Sequence, residues 1–493
     1  MSTNNDPKRQ PGGAGPLEIF LTVLPKIPLI FKVILLHLLG RSESAQYLDL
    51  KSDVTISVLR SMLSPGKPRP ISEIQAMTLR DPGVKGKMWV STMSSKVPPE
   101  ENIRDALFAA IDGLSGPEQE GAPPLAVPDI ISVEAEWTGY RAAATKDSKP
   151  PMIPEEHKYR ELMKECTSRT TILYFHGGAY YLCDPSTHRP IVAKLARLTG
   201  GRAYSVRYRL APQHPFPAAL LDALVSYFTL LYPPPGAVHE AVAPEDLIIA
   251  GDSAGGNLCL ALLQILLELR RQKRKVFWFG AEREVPLPAG VTPLSPWLDL
   301  VQSMPSLTRN GKWDYLPPPR ILSPAHQPPA DNIWPASPPR KHFYVADEYM
   351  LHPLGSLQLN KSWEGAPPMY ICCGWECLQD EDRYLVSKLT RDGVTVVFEE
   401  FQAMPHIFAA MIPGSAEARR CVDGITGFIK AVCEDPQKVK PSYKMVKAKT
   451  LEEVAIDPAQ LTSFTDADVR DMALHAAAGR QRPLPDVDVP AKL

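Results

Sequence analysis

The sequence predicts an α/β protein: a mostly parallel central sheet with helices on both faces. Two patterns carry that expectation. From about residue 126, short apolar β-rich runs alternate with longer helical patterns, and strands interleaved with helices imply crossovers that cover both faces of a parallel sheet. The chain also holds 52 prolines in 493 residues, about twice the usual share. Each interior proline removes a helix hydrogen bond and clashes with the preceding turn, which argues against an all-helical bundle or solenoid.

Residues 1–16 are polar with Pro and Gly and read as a disordered lead. Residues 17–125 mix apolar helical patterns, at 54–63 and 103–114, with Pro/Gly breaks, and read as a helical N-terminal cap. The sheet-forming domain is expected over 126–434. Its strands are predicted at 172–175, 203–206, 247–250, 289–294, 369–373 and 394–398, and its helices at 191–198, 218–231, 256–273 and 380–391. Residues 301–365 break the alternation, and nine prolines between Pro317 and Pro339 mark an irregular insertion. In the polar C-terminal extension, 435–493, Thr465-Asp466-Ala467-Asp468 resembles a capping box and predicts a short helix ending at Gly479.

Composition narrows the partners. With 54 basic against 55 acidic side chains the net charge is −1, and no basic stretch is interleaved with aromatics, so nucleic acid is not an expected partner. A chain 44% hydrophobic and 22% charged is globular rather than disordered. Eight cysteines are too sparse for a disulfide scaffold at this length and point to a reducing, intracellular setting, cytoplasmic or on an internal membrane such as the endoplasmic reticulum. Cys372, Cys373 and Cys377 lack CxxC spacing and sit in an apolar run, which reads as packing, so no metal is expected. Asn360-Lys361-Ser362 matches a glycosylation triplet of a kind that arises readily by chance. The stretch 17–39 is long enough as a helix to span roughly 30 Å. Glu18, Lys26 and Lys32 interrupt it, and Pro25 and Pro28 break its hydrogen bonding. Three readings stay open for it: a cap segment packed on the main domain, an interfacial membrane contact, or a true span.

The strongest chemical signal is Gly251-Asp252-Ser253-Ala254-Gly255, between the run 247–250 and the helical pattern that starts at Gly256. A nucleophilic serine on a tight strand-to-helix turn needs small neighbours, because only they permit the strained backbone. Ser253 would then stand at the sheet edge, with Asp252 supporting the turn. The helix start behind it adds partial positive charge and free N–H groups. His176-Gly177-Gly178-Ala179 follows the run 172–175. Its glycines let the amides of Gly177 and Gly178 face a tetrahedral oxyanion, joined by the amide of Ala254. His176 is expected to organise that loop by hydrogen bonding rather than to act as a base.

In order along the chain, HGGAYYLCDPSTHRP, YRLAPQHPFPAALLDA and GDSAGGN closely resemble three blocks of the hormone-sensitive-lipase family of α/β-hydrolases. The resemblance covers about 126–434, and WEGAPPMYICCGWECLQDE and AMPHIF are similar to later blocks of fungal esterases and steryl acetyl hydrolases. It implies an α/β-hydrolase fold and a carboxylic ester hydrolase, with Ser253 matching the nucleophile and His406 the base. Where the family usually has an acidic Asp, this chain has Glu376, which can orient the imidazole in the same way. Asp380 is the reserve acid. Ala179 stands in place of the family's third glycine, and Tyr208, Arg209 and Asp222 are expected to knit strand, loop and helix. The implied partner is a small, apolar ester with a short acyl group, hydrolysed through an acyl-enzyme without a metal or organic cofactor. A non-catalytic small-molecule receptor on the same fold and an amide or thioester hydrolase are the alternatives.

Overall fold

The computed structural model describes residues 10–13, 15–63, 68–317 and 328–481. Most of the lead at 1–16, and the middle of the proline cluster, lie outside the described residues.

At the centre is a ten-stranded sheet. In chain order its strands are β1 Met88–Ser94, β2 Glu134–Tyr140, β3 Thr171–Phe175, β4 Arg202–Val206 and β5 Leu247–Asp252. They continue as β6 Gly290–Leu294, β7 Met369–Gly374, β8 Val396–Phe401, β9 Ser442–Val446 and β10 Glu453–Ala455. The spatial order is β10-β9-β8-β7-β6-β5-β3-β4-β2-β1. From β4 through β3 to β9 every neighbouring pair is parallel. Antiparallel pairs, β9 with β10, β4 with β2 and β2 with β1, finish the two edges. The mostly parallel sheet expected from the alternation is therefore present.

At the N-terminus, α1 Pro16–Val23 and α2 Ile27–Leu38 are joined by a single tight turn at Leu24–Lys26. Together they include a stretch, Phe20–Leu38, long and apolar enough to cross a membrane, and none of it is buried in the protein. Phe31 is 68% and Leu38 70% exposed. α2 leans on α3 Leu50–Leu63, where His37 Nδ1 lies 2.8 Å from Asp53 Oδ2 and Lys26 Nζ donates to Ser61 Oγ at 2.7 Å.

Side chains of a strand point alternately to opposite faces, and β3 divides accordingly. Leu173 and Phe175 enter one hydrophobic core, Ile172 and Tyr174 the other. The first core is covered by α4 Asn102–Leu114, α6 Ala218–Leu231, α7 Ala254–Arg271 and α8 Gln379–Arg391. The second is covered by α5 Pro185–Thr199 and α9 Ala416–Glu434. In the C-terminal extension, α10 Asp466–Gln481 starts where the Thr465 hydroxyl donates to Asp468 Oδ2 at 2.7 Å. Asp466 fastens that helix to α8 through Lys388 at 3.0 Å and Arg391 at 2.6 Å.

The sheet reaches beyond 126–434 at both ends, since β1 comes from the region read as a helical cap and β9 and β10 from the C-terminal extension. β1 and β10 are the two edges and β9 lies next to one; β9 and β10 are short and mostly half-exposed or exposed, with a lysine in β9, while β1 buries only Trp89, Val90 and Ser91 of its seven residues. Such edges lack the continuous apolar run that marks a central strand. β8 differs for a related reason: it runs past Phe398 through Glu399 and Glu400, two charges that read as its end. Arg420 pairs with Glu399 at 2.8 Å and Arg383 with Glu400 at 2.6 Å, which lets both carboxylates stay inside the layer.

The topology also places the site. After β3 the chain crosses to β4 on one side, then returns to β5 on the other. The carboxyl ends of β3 and β5 thus flank a switch point, where parallel sheets open a crevice.

Candidate active site

Ser253 follows β5 at φ 53° and ψ −120°, and α7 begins at the next residue, Ala254. Positive φ is costly for a residue with a Cβ, and crowding holds it here. A Cβ on Gly255 would collide with the carbonyl oxygen of Phe175 at the end of β3, and one on Gly251 would come within 2.6 Å of the same oxygen. The turn is closed by Ser253 N donating to Leu294 O at 3.0 Å and Trp297 N donating to Ser253 O at 3.0 Å. The serine hydroxyl makes no capping hydrogen bond to its own helix.

Across the crevice, Gly178, Ala179 and Tyr180 take φ of 112°, 52° and 67° in succession. This left-handed run turns the chain away from β3. Among the described residues, the amides of Gly177, Gly178 and Ala254 donate to no protein acceptor. His176 is buried and stacks on Tyr208, ring centroids 4.3 Å apart, and Tyr208 donates its hydroxyl to His176 O at 2.7 Å. Burial, with His188 alongside, pushes the His176 imidazole down to about 4, so it is neutral near pH 7. Asp252 is turned beneath the elbow, where Tyr174 donates to Oδ1 at 2.7 Å and His188 Nε2 lies 3.3 Å from Oδ2. Arg209 and Asp222 pair at 2.8 Å, joining the segment after β4 to α6.

The candidate acid and base come from elsewhere in the sheet. Glu376, just past β7, is fully buried, and its Oε1 lies 2.7 Å from His406 Nδ1. Its other oxygen accepts from Ser295 Oγ at 2.6 Å and Gly374 N at 3.0 Å. His406 lies beyond β8, between Ala403 at φ 57° and Ile407 at φ 41°. Burial pushes its imidazole down most strongly of any single cause, but the charge and hydrogen bond of Glu376 together with the charges of Asp314 and Asp252 outweigh it, and the net shift is upward from 6.5. Asp380 is engaged differently: in the first turn of α8 it pairs with Arg309 at 2.6 Å and accepts from Ser306 N at 2.9 Å.

The structure thus brings Glu376 and His406 into one hydrogen bond, and the Ser253 turn is tied to the end of β6, next to Ser295. Three further residues belong to this neighbourhood. His188 was hidden in a helix and Asp314 in the insertion, and Ser295 follows a strand with no motif around it. Among the described residues, no three His, Cys, Asp or Glu side chains gather as a metal site would require.

A protein-family profile described as alpha/beta hydrolase fold matches residues 172–410. An acetyl-hydrolase from Streptomyces hygroscopicus is 31% identical over 262 residues, 53% of this chain and 75% of that protein. An esterase from Acinetobacter venetianus strain RAG-1 is 29% identical over 269 residues, 54% of this chain and 77% of that protein. A solved esterase of the bacterial hormone-sensitive lipase family, 24% identical, overlays 68% of this chain and 99% of its own with a TM-score of 0.46. With its parallel sheet, its serine elbow and a relative matched over three quarters of its length, the chain belongs to the alpha/beta hydrolase family.

Proposed function

We propose that this hydrolase cleaves carboxylic esters through an acyl-enzyme on Ser253, with His406 as base and Glu376 as its orienting acid. The observation that carries the reading is the buried Glu376–His406 pair at 2.7 Å beside a strained serine elbow. In this reading His406 takes the Ser253 proton as the hydroxyl attacks the ester carbonyl, and Glu376 stabilises the imidazolium that forms. The amides of Gly177, Gly178 and Ala254 donate hydrogen bonds to the developing oxyanion; each such donor is typically worth about 10²–10³ in turnover. Collapse releases the alcohol, and water activated by His406 then frees the acid.

We infer a short acyl group on an apolar alcohol as the preferred substrate. The acetyl-hydrolase relative supports the acyl part. The exposed apolar helices α1 and α2 support a contact with a lipid surface, from which such alcohols would be drawn.

In the test, Ser253→Ala abolishes p-nitrophenyl acetate hydrolysis and labelling by a fluorophosphonate, and the wild type prefers acetyl over long-chain esters. Undiminished hydrolysis by Ser253→Ala would sink the mechanism, and a preference for long chains the acyl assignment. Flotation with neutral vesicles, lost on Phe31→Ser with Leu38→Ser, checks the lipid contact; flotation unchanged by those substitutions would contradict it.

A further inference from the structure

The insertion at 301–365 carries one side chain whose contacts the mechanism does not yet use. Asp314 is fully buried. Its Oδ1 accepts the backbone amide of His406 at 3.2 Å and that of Tyr315 at 2.7 Å. Its Oδ2 accepts the amide of Cys377, the residue after Glu376, at 2.8 Å. One carboxylate therefore grips the backbone of the base and of the acid's neighbour, on two loops that follow different strands. Amides donating to a carboxylate are strong, short-range restraints in a buried setting.

We propose that Asp314 is a positioning residue for the acid–base pair, its carboxylate setting the separation at which Glu376 and His406 meet. This rests on the assignment of His406 as base and Glu376 as acid given above.

Neighbouring side chains hold Asp314 and the loop of Glu376 in place. Arg60 of α3 donates Nε to the carbonyl of Asp314 and Nη2 to that of Lys312, both at 2.7 Å. Asn310 donates to the carbonyl of Glu376 at 3.0 Å, and the Ser306 hydroxyl donates to that of Cys377 at 2.6 Å. Trp313, Trp375 and Tyr47 pack edge to face over the acid loop, with centroids 5.2 to 5.7 Å apart. Of these residues, only Asp314 also reaches the base loop. The same carboxylate adds negative charge near the imidazole. The charged groups acting on His406 are Glu376 after β7, Asp314 from the insertion and Asp252 at the end of β5; the Tyr315 ring lies 6.3 Å away. Asp252 shares its charge with His188, and Arg60 is the cation that bonds the Asp314 backbone.

The test compares Asp314→Asn, which keeps the shape and removes the charge, with Asp314→Glu, which keeps the charge and changes the reach. Both are measured as full chains on p-nitrophenyl acetate, with a thermal melt for folding. Asp314→Asn is expected to lower kcat about tenfold, the scale of losing a charged hydrogen bond, with KM within about twofold. It also moves the acid limb of kcat/KM to lower pH, because removing a neighbouring negative charge makes the imidazolium easier to deprotonate. Asp314→Glu lowers kcat and leaves the acid limb in place. An unchanged kcat and acid limb in Asp314→Asn, or a loss confined to KM, overturns the proposal. Should Asp314→Asn not fold, an unchanged kcat in Asp314→Glu overturns it. His406→Ala separates the two levels: if it is inactive while Asp314→Asn behaves as wild type, only the positioning role fails. An active His406→Ala removes the underlying assignment itself.

Discussion

The two halves of the site are built in opposite ways. The proposed nucleophile half, Ser253 with the amides of Gly177, Gly178 and Ala254, is made of backbone, and its geometry is enforced by contacts too close for any side chain, as between Gly255 and Phe175 O. The proposed acid–base half is made of side chains on loops after β7 and β8, and it is held by hydrogen bonds that Ser295 and Gly374 donate to Glu376 and that the His406 amide donates to Asp314. Damage should therefore read differently in each. In the first half, stability and activity fall together; in the second, chemistry is lost while the fold stands.

The largest effect is expected in the second half. Glu376→Gln should lower kcat by about 10³–10⁴, by analogy with loss of the orienting acid in other triads, with little change in melting temperature. Its wild-type reference is a kcat/KM that rises through a pH above 6.5, because the His406 imidazole is shifted upward and must be neutral to act. A comparable fall in thermal stability would break the distinction between the halves. Gly255→Ala is the counterpart in the first half. Its Cβ would meet the backbone oxygen of Phe175, a neighbour that cannot rotate away. We expect a loss of roughly 1–3 kcal/mol in stability together with about a hundredfold loss of activity, the usual scale of an ångström-sized misplacement. Unchanged melting with lost activity would show that the elbow is not under the packing restraint argued here.

The smallest effect lies far from both halves. Lys388, Arg391 and the Tyr384 hydroxyl surround Asp466. Partial burial raises its carboxyl, but those hydrogen bonds outweigh it and hold the group down at about 2 against its usual 3.8. A depressed folded-state value means the stabilisation is fully present above 3.8 and is lost as pH falls through about 2. The group is half exposed, so Asp466→Asn should cost under about 1 kcal/mol at neutral pH, with kcat unchanged. A change in kcat would tie α10 to the site and blur the comparison.

What could be read beforehand follows the same division. The elbow and the glycine loop are contiguous runs in which strand, small residues and helix succeed one another, so Ser253, Gly177 and Gly178 were legible from local chemistry. His406 and Glu376 were legible only through resemblance, since a histidine after one strand and a glutamate after another say nothing locally of their contact. Ser295, His188 and Asp314 were not legible, because their partners lie on segments far away in the chain. The peripheral strands β1, β9 and β10 escaped for a separate reason: β9 and β10 are short, charged and half-exposed, and β1 interrupts its apolar residues with Ser and Thr, so none has an apolar pattern long enough to stand out.

The alternation of strand and helix, hence a parallel sheet, was set by the sequence alone, and so was the small-residue strand-to-helix turn that holds Ser253 at positive φ. Local sterics and periodicity suffice for both. Only the tertiary structure decided which acid meets His406. Asp380 falls in the first turn of α8, where Arg309 and Ser306 take its carboxylate. Glu376 falls before that helix, against the end of β6, where Ser295 holds one oxygen and leaves the other for the imidazole. That choice depends on where three strand ends and an insertion come together in space, and no stretch of neighbouring residues contains it.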